Sequence, residues 1–225
     1  MTTIRDVAEL DDSWDVRPEV LTHVSDDRSR ALQLWRLPEP MLTITSSLLG
    51  GGMGLREWIL NAEVDRTYAR VDVEDHLREI ARGAGVYGTG VGMLTAVRVD
   101  DRAPAIDHGV HAFATVGVTL PAWASAPARQ PGPTTVGTIN VVAFLPVRLS
   151  DAALVNAVMT VTEAKTQALF EAGVPGTGTA SDAVCVLCPA NTGAETFGGP
   201  RSLWGARVAR AVHGAVSASL PRVAP

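Results

Sequence analysis

Lys165 stands at a position where an apolar residue is expected. In the stretch SDAALVNAVMTVTEAKTQALFEAG, residues 150–173, apolar residues recur at helical spacing. Stepping ~100° per residue puts Leu154, Val155, Val158, Val161 and Leu169 on one side. Lys165 falls inside that arc, flanked by Thr162 and Thr166. A lysine there either carries its ammonium out to water along its aliphatic stem or meets a partner, because an unpaired buried charge is expensive. Buried lysines also shift in pKa and serve as bases or electrostatic anchors. Asn156, Thr160, Glu163, Gln167 and Glu171 occupy the opposite arc. Periodicity alone therefore makes Glu163 a solvent-facing residue.

The loop after this helix reads GTGTASD, residues 176–182, and the strand-like AVCVLCP follows it. A dinucleotide phosphate cradle needs a helix directly after its glycines, so that chemistry is disfavoured. Two readings stay open. One is a tight turn that lets a helix reverse into a strand. The other is a row of donors, Thr179 and Ser181 among them, with Asp182 as acid, base or hydrogen-bond acceptor. LLGGGMG, residues 48–54 with Gly51 at its centre, permits close backbone approach and frees N–H groups for an anion or a carbonyl. It lacks the lysine of a phosphate loop.

Polar residues also interrupt the apolar faces of strand-like stretches. Asn140 shares a face with Val142 and Phe144, and Thr95 with Met93 and Val97. Ser46 lies with Leu42, Ile44 and Leu48, and Ser47 continues the face of Thr43 and Thr45. Buried amides and hydroxyls need partners. Each alone is explained by a hydrogen bond to a neighbouring loop, whereas several at strand ends suit a polar pocket. His108 and His111, preceded by Asp107, offer metal ligands, but their spacing fits neither a helix face nor a known finger. His213 falls on a polar helix edge beside Arg210 and Ser217 and reads as solvated. Trp123, in a proline-rich loop, is placed to cap a flat ligand. Cys185 and Cys188 are the two cysteines. Three apart on a strand, they point to opposite faces and read as buried thiols rather than a redox pair or half a zinc site.

The elements that must position these residues follow from pattern. ALQLWRL (31–37) and MLTITSSLL (41–49) read as strands separated by a turn at Pro38-Glu39-Pro40. WILNAEV (58–64), VGMLTAVRV (91–99), VHAFATVGV (110–118) and GTINVVAFLP (137–146) add four more. DVEDHLREIARG (72–83) is a short helix with Asp72 as its cap. Ser150 caps the long helix, and Gly173 and Pro175 end it. A final helix is expected to start with Gly199 as cap and Pro200 in its first turn, and to run to about Leu220. Grouped strands predict an α+β single domain over 29–225, with a mixed or largely antiparallel sheet covered by about three helices. Residues 1–28 read as a loosely ordered lead-in, and the proline-rich 120–135 as a mobile or functional loop.

Of the 225 residues, 46% are hydrophobic and 19% charged, with a net charge of −5. That balance supports a buried core and argues against binding nucleic acid through its phosphates. No apolar run approaches the ~18 residues of a membrane helix. The acidic start, MTTIRDVAELDDSWD, has no apolar secretory core, and a cytoplasmic protein is the simplest expectation.

SSLLGGG (46–52), ILN (59–61), VGMLTA (91–96), ATVGV (114–118), GTINVV (137–142), TEAKTQAL (162–169), GTGTASDAV (176–184) and GGPRSLWGARVARAV (198–212) follow one another in an order and spacing that resembles the adenosylcobinamide amidohydrolases, the CbiZ-type corrinoid-salvage family. The ordered set covers roughly 31–220, and EAK on a helix followed by GTGTASDA before a strand weighs most. The charged lead-in and the proline-rich loop depart from the pattern. The resemblance implies cleavage of the amide that joins aminopropanol to a propionyl arm of the corrin ring, giving adenosylcobyric acid and 1-amino-2-propanol. Cobalt then arrives within the corrinoid substrate, and no metal or other cofactor of the protein's own is expected. Glu163 becomes a catalytic candidate through the resemblance, against its periodicity. Two routes follow. Glu163 or Asp182 activates a water while Lys165 and the Gly-Thr backbone stabilise the oxyanion, or Ser46, Ser47 or Thr179 attacks with Lys165 as base. Asn61 and Asn140 would hold peripheral amides of the corrin. The alternative is a non-catalytic corrinoid- or nucleotide-binding protein whose polar strand ends hold the ligand.

Overall fold

β2 is a single strand from Arg28 to Thr45 that runs straight through Pro38-Glu39-Pro40, where the sequence predicts a turn. Proline cannot donate to a sheet ladder, so it survives only where a partner is missing or the register breaks. Both conditions hold here. One edge of β2 pairs with β1 (Glu19–Ser25) as far as Leu34 and with β8 (Ala183–Cys188) only from Leu42. The other edge pairs with β3 (Gly52–Glu63), whose register shifts between Arg36 and Met41. The prolines sit in that gap.

The structure is a computed structural model that describes residues 16–99, 104–127, 137–191 and 193–220. Its remaining strands are β4 (Gly90–Thr95), β5 (Ala105–Asp107), β6 (Val110–Val116) and β7 (Ile139–Phe144). The sheet order is β4-β3-β2-β8-β7-β6-β5, with β1 beside β2. β3/β4 and β7/β8 pair in parallel, and the other neighbours are antiparallel. With α1 (Val73–Gly83), α2 (Asp151–Glu171) and α3 (Leu203–Ser219), the described residues form the expected α+β domain with a mixed sheet. β1 lies inside the stretch read as a loose lead-in, so residues 19–25 belong to the sheet. Residues 1–15 lie outside the described residues, as do 128–136 of the proline-rich loop.

Strand alternation explains the layers. On β2 and β3, Leu32, Leu34, Leu60 and Ala62 point to α1 and pack with Leu77 and Ile80. Between them, Trp35 and Ile59 point the other way, into a cluster with Met93, Phe113, Val142, Phe144 and Cys185. The sheet curls around this second cluster. The Trp35 and Phe113 rings lie 5.2 Å apart, edge to face, although β8 and β7 separate their strands in the sheet. On the outside of β6, β7 and β8, Ala112, Val141, Ala143, Val186 and Cys188 pack against α2 and α3. Cys185 and Cys188 thus belong to opposite faces. Burial pushes the Cys185 thiol up to about 12 and raises that of Cys188.

Three details differ from the expected helices. Asp72 occupies the N-cap position of α1 but makes no capping bond, because Arg70 takes both its oxygens. α3 begins at Leu203 with Ser202 as cap, its hydroxyl accepting from Gly205 N, rather than at Gly199-Pro200. On α2, Leu154, Val161 and Leu169 are fully buried, each worth roughly 1.5–3 kcal/mol over exposure. Val155 is half exposed and Thr160 is buried instead. The segment before α3 covers Thr160, whose hydroxyl donates to Gly198 O at 2.9 Å.

Candidate active site

α2 ends beside Gly173, whose φ of +71° reverses the chain, and GTGTASD carries it into β8. This reversal brings Lys165 and Asp182 together. Lys165 Nζ lies 2.5 Å from Asp182 Oδ2, with the two side chains 8% and 13% exposed. The arc that looked apolar does hold the lysine, and its charge is paired. Asp182 also accepts from Ile139 N at 3.0 Å, Thr179 N at 3.2 Å and Thr179 Oγ1 at 2.5 Å. Gly178 lies over the pair. A Cβ there would come within 2.6 Å of Lys165 Nζ, so close approach, not a left-handed backbone, requires glycine. The described part of the proline-rich loop braces the turn: Ala122 N donates to Gly178 O at 2.8 Å and Thr177 N to Ala122 O at 2.9 Å.

Asp182 opens onto a cavity of about 350 Å³. Ser46, Ser47, Thr95, Asn140 and Ser181 line it too. Ser46 extends the β2/β8 ladder: its N–H donates to Val184 O and its Oγ accepts from Val184 N at 3.1 Å. Ser47 Oγ pairs with Thr45 Oγ1 at 2.7 Å. Ser181 Oγ pairs with Thr138 Oγ1 at 2.8 Å. Asn140 Nδ2 donates to Asn61 Oδ1 and to Leu94 O, both at 2.8 Å. That commits its two amide hydrogens and leaves its carbonyl oxygen as the acceptor to face a ligand.

Other predicted site residues are elsewhere. Glu163 is exposed on α2 and is two residues from Lys165, hence on a different face. Asn61 is buried behind Asn140, its Nδ2 donating to Thr115 Oγ1 at 3.2 Å. It supports the cavity from within the curled sheet. Thr179 Oγ1 has one proton for two acceptors, Asp182 Oδ1 at 2.5 Å and Gly137 O at 2.7 Å, and either bond draws it away from attack in this arrangement. Gly51 packs on the Ser47 carbonyl and makes the turn that leads into β3. Arg56 closes that turn by donating to Gly50 O at 2.7 Å.

Sequence reasoning passed over Asp65, Tyr68 and Thr138, which also line the cavity. Asp65 accepts from the Thr67 backbone and hydroxyl and from Arg30 Nη2 at 2.5 Å. These bonds, the Thr67 backbone first, hold its carboxyl at about 2. Tyr68 OH lies 2.9 Å from His76 Nδ1 on α1. Burial raises the phenol and lowers the imidazole. The sequence signal for these residues is faint, since DRTY lies between a strand and a helix without periodicity.

Of the suggested metal ligands, Asp107 is engaged and His108 is exposed. Arg210 grips both oxygens of Asp107, at 2.6 and 2.8 Å. His111 is buried on β6. Among the described residues, no group of three or more His, Cys, Asp or Glu is placed to hold a metal. His213 Nε2 meets Glu171 Oε2 at 2.7 Å. No helix among the described residues is long and apolar enough to cross a membrane.

A family model described as adenosylcobinamide amidohydrolase matches residues 17–224. A curated relative, the adenosylcobinamide amidohydrolase of Methanosarcina mazei, is 38% identical over 141 residues. The aligned stretch spans 63% of this chain and 66% of that relative, just under two thirds of its length.

Proposed function

The chain belongs to the adenosylcobinamide amidohydrolase family, and on that premise we propose that it hydrolyses the amide of adenosylcobinamide to adenosylcobyric acid and 1-amino-2-propanol, returning incomplete corrinoids to cobalamin synthesis. The observation that supports this reading within the site is Asp182, in the wall of a cavity that Ser46, Ser47 and Ser181 also line, with the buried Lys165 paired to it from behind that wall. Amide hydrolysis needs a nucleophile, a stabilised oxyanion and a proton for the leaving amine. Asp182 Oδ2, the less occupied of its two oxygens, takes a proton from water as that water attacks the carbonyl carbon. The Lys165 ammonium stabilises the tetrahedral oxyanion. Glu163 lies on the exposed face of α2, and Thr179 is held by Asp182. The base that Ser46 or Ser47 would need, Lys165, is paired with Asp182, so the proposed route is the attack of water through Asp182.

A corrin ring exceeds a cavity of about 350 Å³, so the arm that carries the amide enters and the ring rests at the mouth. Leu48, 68% exposed and lining the cavity, gives the ring an apolar surface there. Asn140 and Ser181 orient the arm. Cobalt is part of the substrate, no resident metal or other cofactor takes part, and a cytoplasmic location belongs to the same proposal.

The test is to incubate the protein with adenosylcobinamide and look for free 1-amino-2-propanol by mass spectrometry. Release that persists in a chelator is expected. Tight binding with no release favours a corrinoid-binding protein, and loss of activity in chelator restored by zinc overturns the metal-free reaction.

A further inference from the structure

The route above gives the attacking water a base and the oxyanion a cation, but the leaving amine still needs a proton. Asp182, once it carries the water's proton, is one acid that could supply it, whereas Asp65, held at about 2 by Thr67 and Arg30, is ionised and has no proton to give. Tyr68 is the second acid in the cavity wall, and the one that already holds its proton before the water attacks. It leaves the end of β3 in the turn that Asp65 and Thr67 close. Its hydroxyl meets His76 Nδ1 at 2.9 Å, and the two rings stack with centroids 5.5 Å apart. His76 is 5% exposed, on the buried face of α1. It lines a second, polar cavity of about 410 Å³ together with His23, Arg70 and Glu79, and reaches the substrate cavity only through Tyr68.

On the proposed amidohydrolase activity, we infer that Tyr68 is the proton donor to the leaving amine and that His76 is its positioning residue. In the tautomer that does this work, His76 Nδ1–H donates to the Tyr68 oxygen, which frees the phenolic proton to face the cavity. As the carbon–nitrogen bond of the tetrahedral intermediate breaks, its electron pair goes to nitrogen and the Tyr68 proton joins it. The amine departs neutral. The phenolate left on Tyr68 is held by His76 Nδ1–H and takes back, through solvent, the proton that Asp182 removed from the attacking water. Water thus supplies the hydroxyl to carbon and, by way of Asp182 and Tyr68, the proton to nitrogen. His76 stays neutral throughout. Its burial and the neighbouring Arg70 favour that form, against the opposing influence of Glu79 and Asp72, and Tyr68, raised by burial, stays protonated at neutral pH.

Tyr68→Phe keeps the stacked ring and removes only the donor. On adenosylcobinamide it should lower kcat about 100-fold or more, the range of a lost general acid. KM should stay within about threefold and the thermal midpoint near that of the parent, as expected for a group that acts only in the transition state. His76→Leu should reproduce the fall in kcat, and His76→Asn, which can still present a donor where Nδ1 lies, should recover at least about tenfold of it. A parental kcat in Tyr68→Phe, or a loss carried by KM, overturns the inference while leaving the amidohydrolase reading intact. Should Tyr68→Phe unfold, the His76 pair decides, and equal kcat for His76→Leu and His76→Asn overturns it. If the parent itself releases no 1-amino-2-propanol, both readings fall together.

Discussion

Lys165 Nζ and Asp182 Oδ2 meet at 2.5 Å where α2 reverses into β8, with both side chains almost sealed from water. Removing one partner of such a pair leaves a buried charge, which costs about 3–5 kcal/mol. Lys165→Met should therefore lose that much stability in urea unfolding and lose turnover. Replacing both residues by Met and Leu should restore much of the stability but none of the turnover. Near-normal turnover in Lys165→Met would remove the lysine from the mechanism.

Gly178 is close enough to this pair that a methyl group has no room. Gly178→Ala should lower stability by about 1–3 kcal/mol, the usual cost of overpacking. It should also lower kcat, because the displaced groups are Lys165 and Asp182. Parental kcat and stability in this variant would mean that the turn has slack.

Glu163 is the sharpest point of conflict between family resemblance and geometry. It is exposed on α2 and on a different face from Lys165. Glu163→Gln should keep kcat/KM within about twofold of the parent, the range of a neutral surface change. A large fall in steady-state turnover would bring Glu163 back into the site.

The strands and helices that carry the site were legible where burial and period agree. The strand-like AVCVLCP contains all of β8 and runs one residue past it, and α2 has its expected cap at Ser150. Lys165 showed because helical periodicity exposes a polar intruder, and its partner lies only one turn of chain away. Pro38-Glu39-Pro40 misled because its local signal is a turn, and only the gap between β1 and β8 makes a strand tolerable there. Asn61 was legible as a polar break, but its place behind Asn140 depends on the curl of the sheet, which no local pattern encodes. Tyr68 and His76 were missed because packing of α1 alone brings them together.

His23 and His76 give the fold an acid sensitivity with a defined sign. Burial, first in both cases, lowers their values below the ordinary 6.5. The unfolded chain therefore takes up protons first as pH falls, so stability is present above about 6.5 and is lost as pH drops towards the lowered folded values. Asp65 and Asp72, both held at about 2 against an ordinary 3.8, add a second loss between those values. Urea midpoints should be flat from about pH 8 to about pH 7 and fall below about pH 6. His76 faces Tyr68, Arg70, Glu79, Asp72 and His23, so the slope belongs to this cluster, and His76→Asn should reduce it. An unchanged slope would contradict the assignment.

The proposed amide cleavage is tested most directly by one incubation of adenosylcobinamide with the protein in water labelled with heavy oxygen, with both products weighed by mass spectrometry. Equal amounts of 1-amino-2-propanol and adenosylcobyric acid are expected, with the heavy oxygen in the new carboxylate and none in the amine. Corrinoid that binds and is recovered intact, with no free aminopropanol, would contradict it.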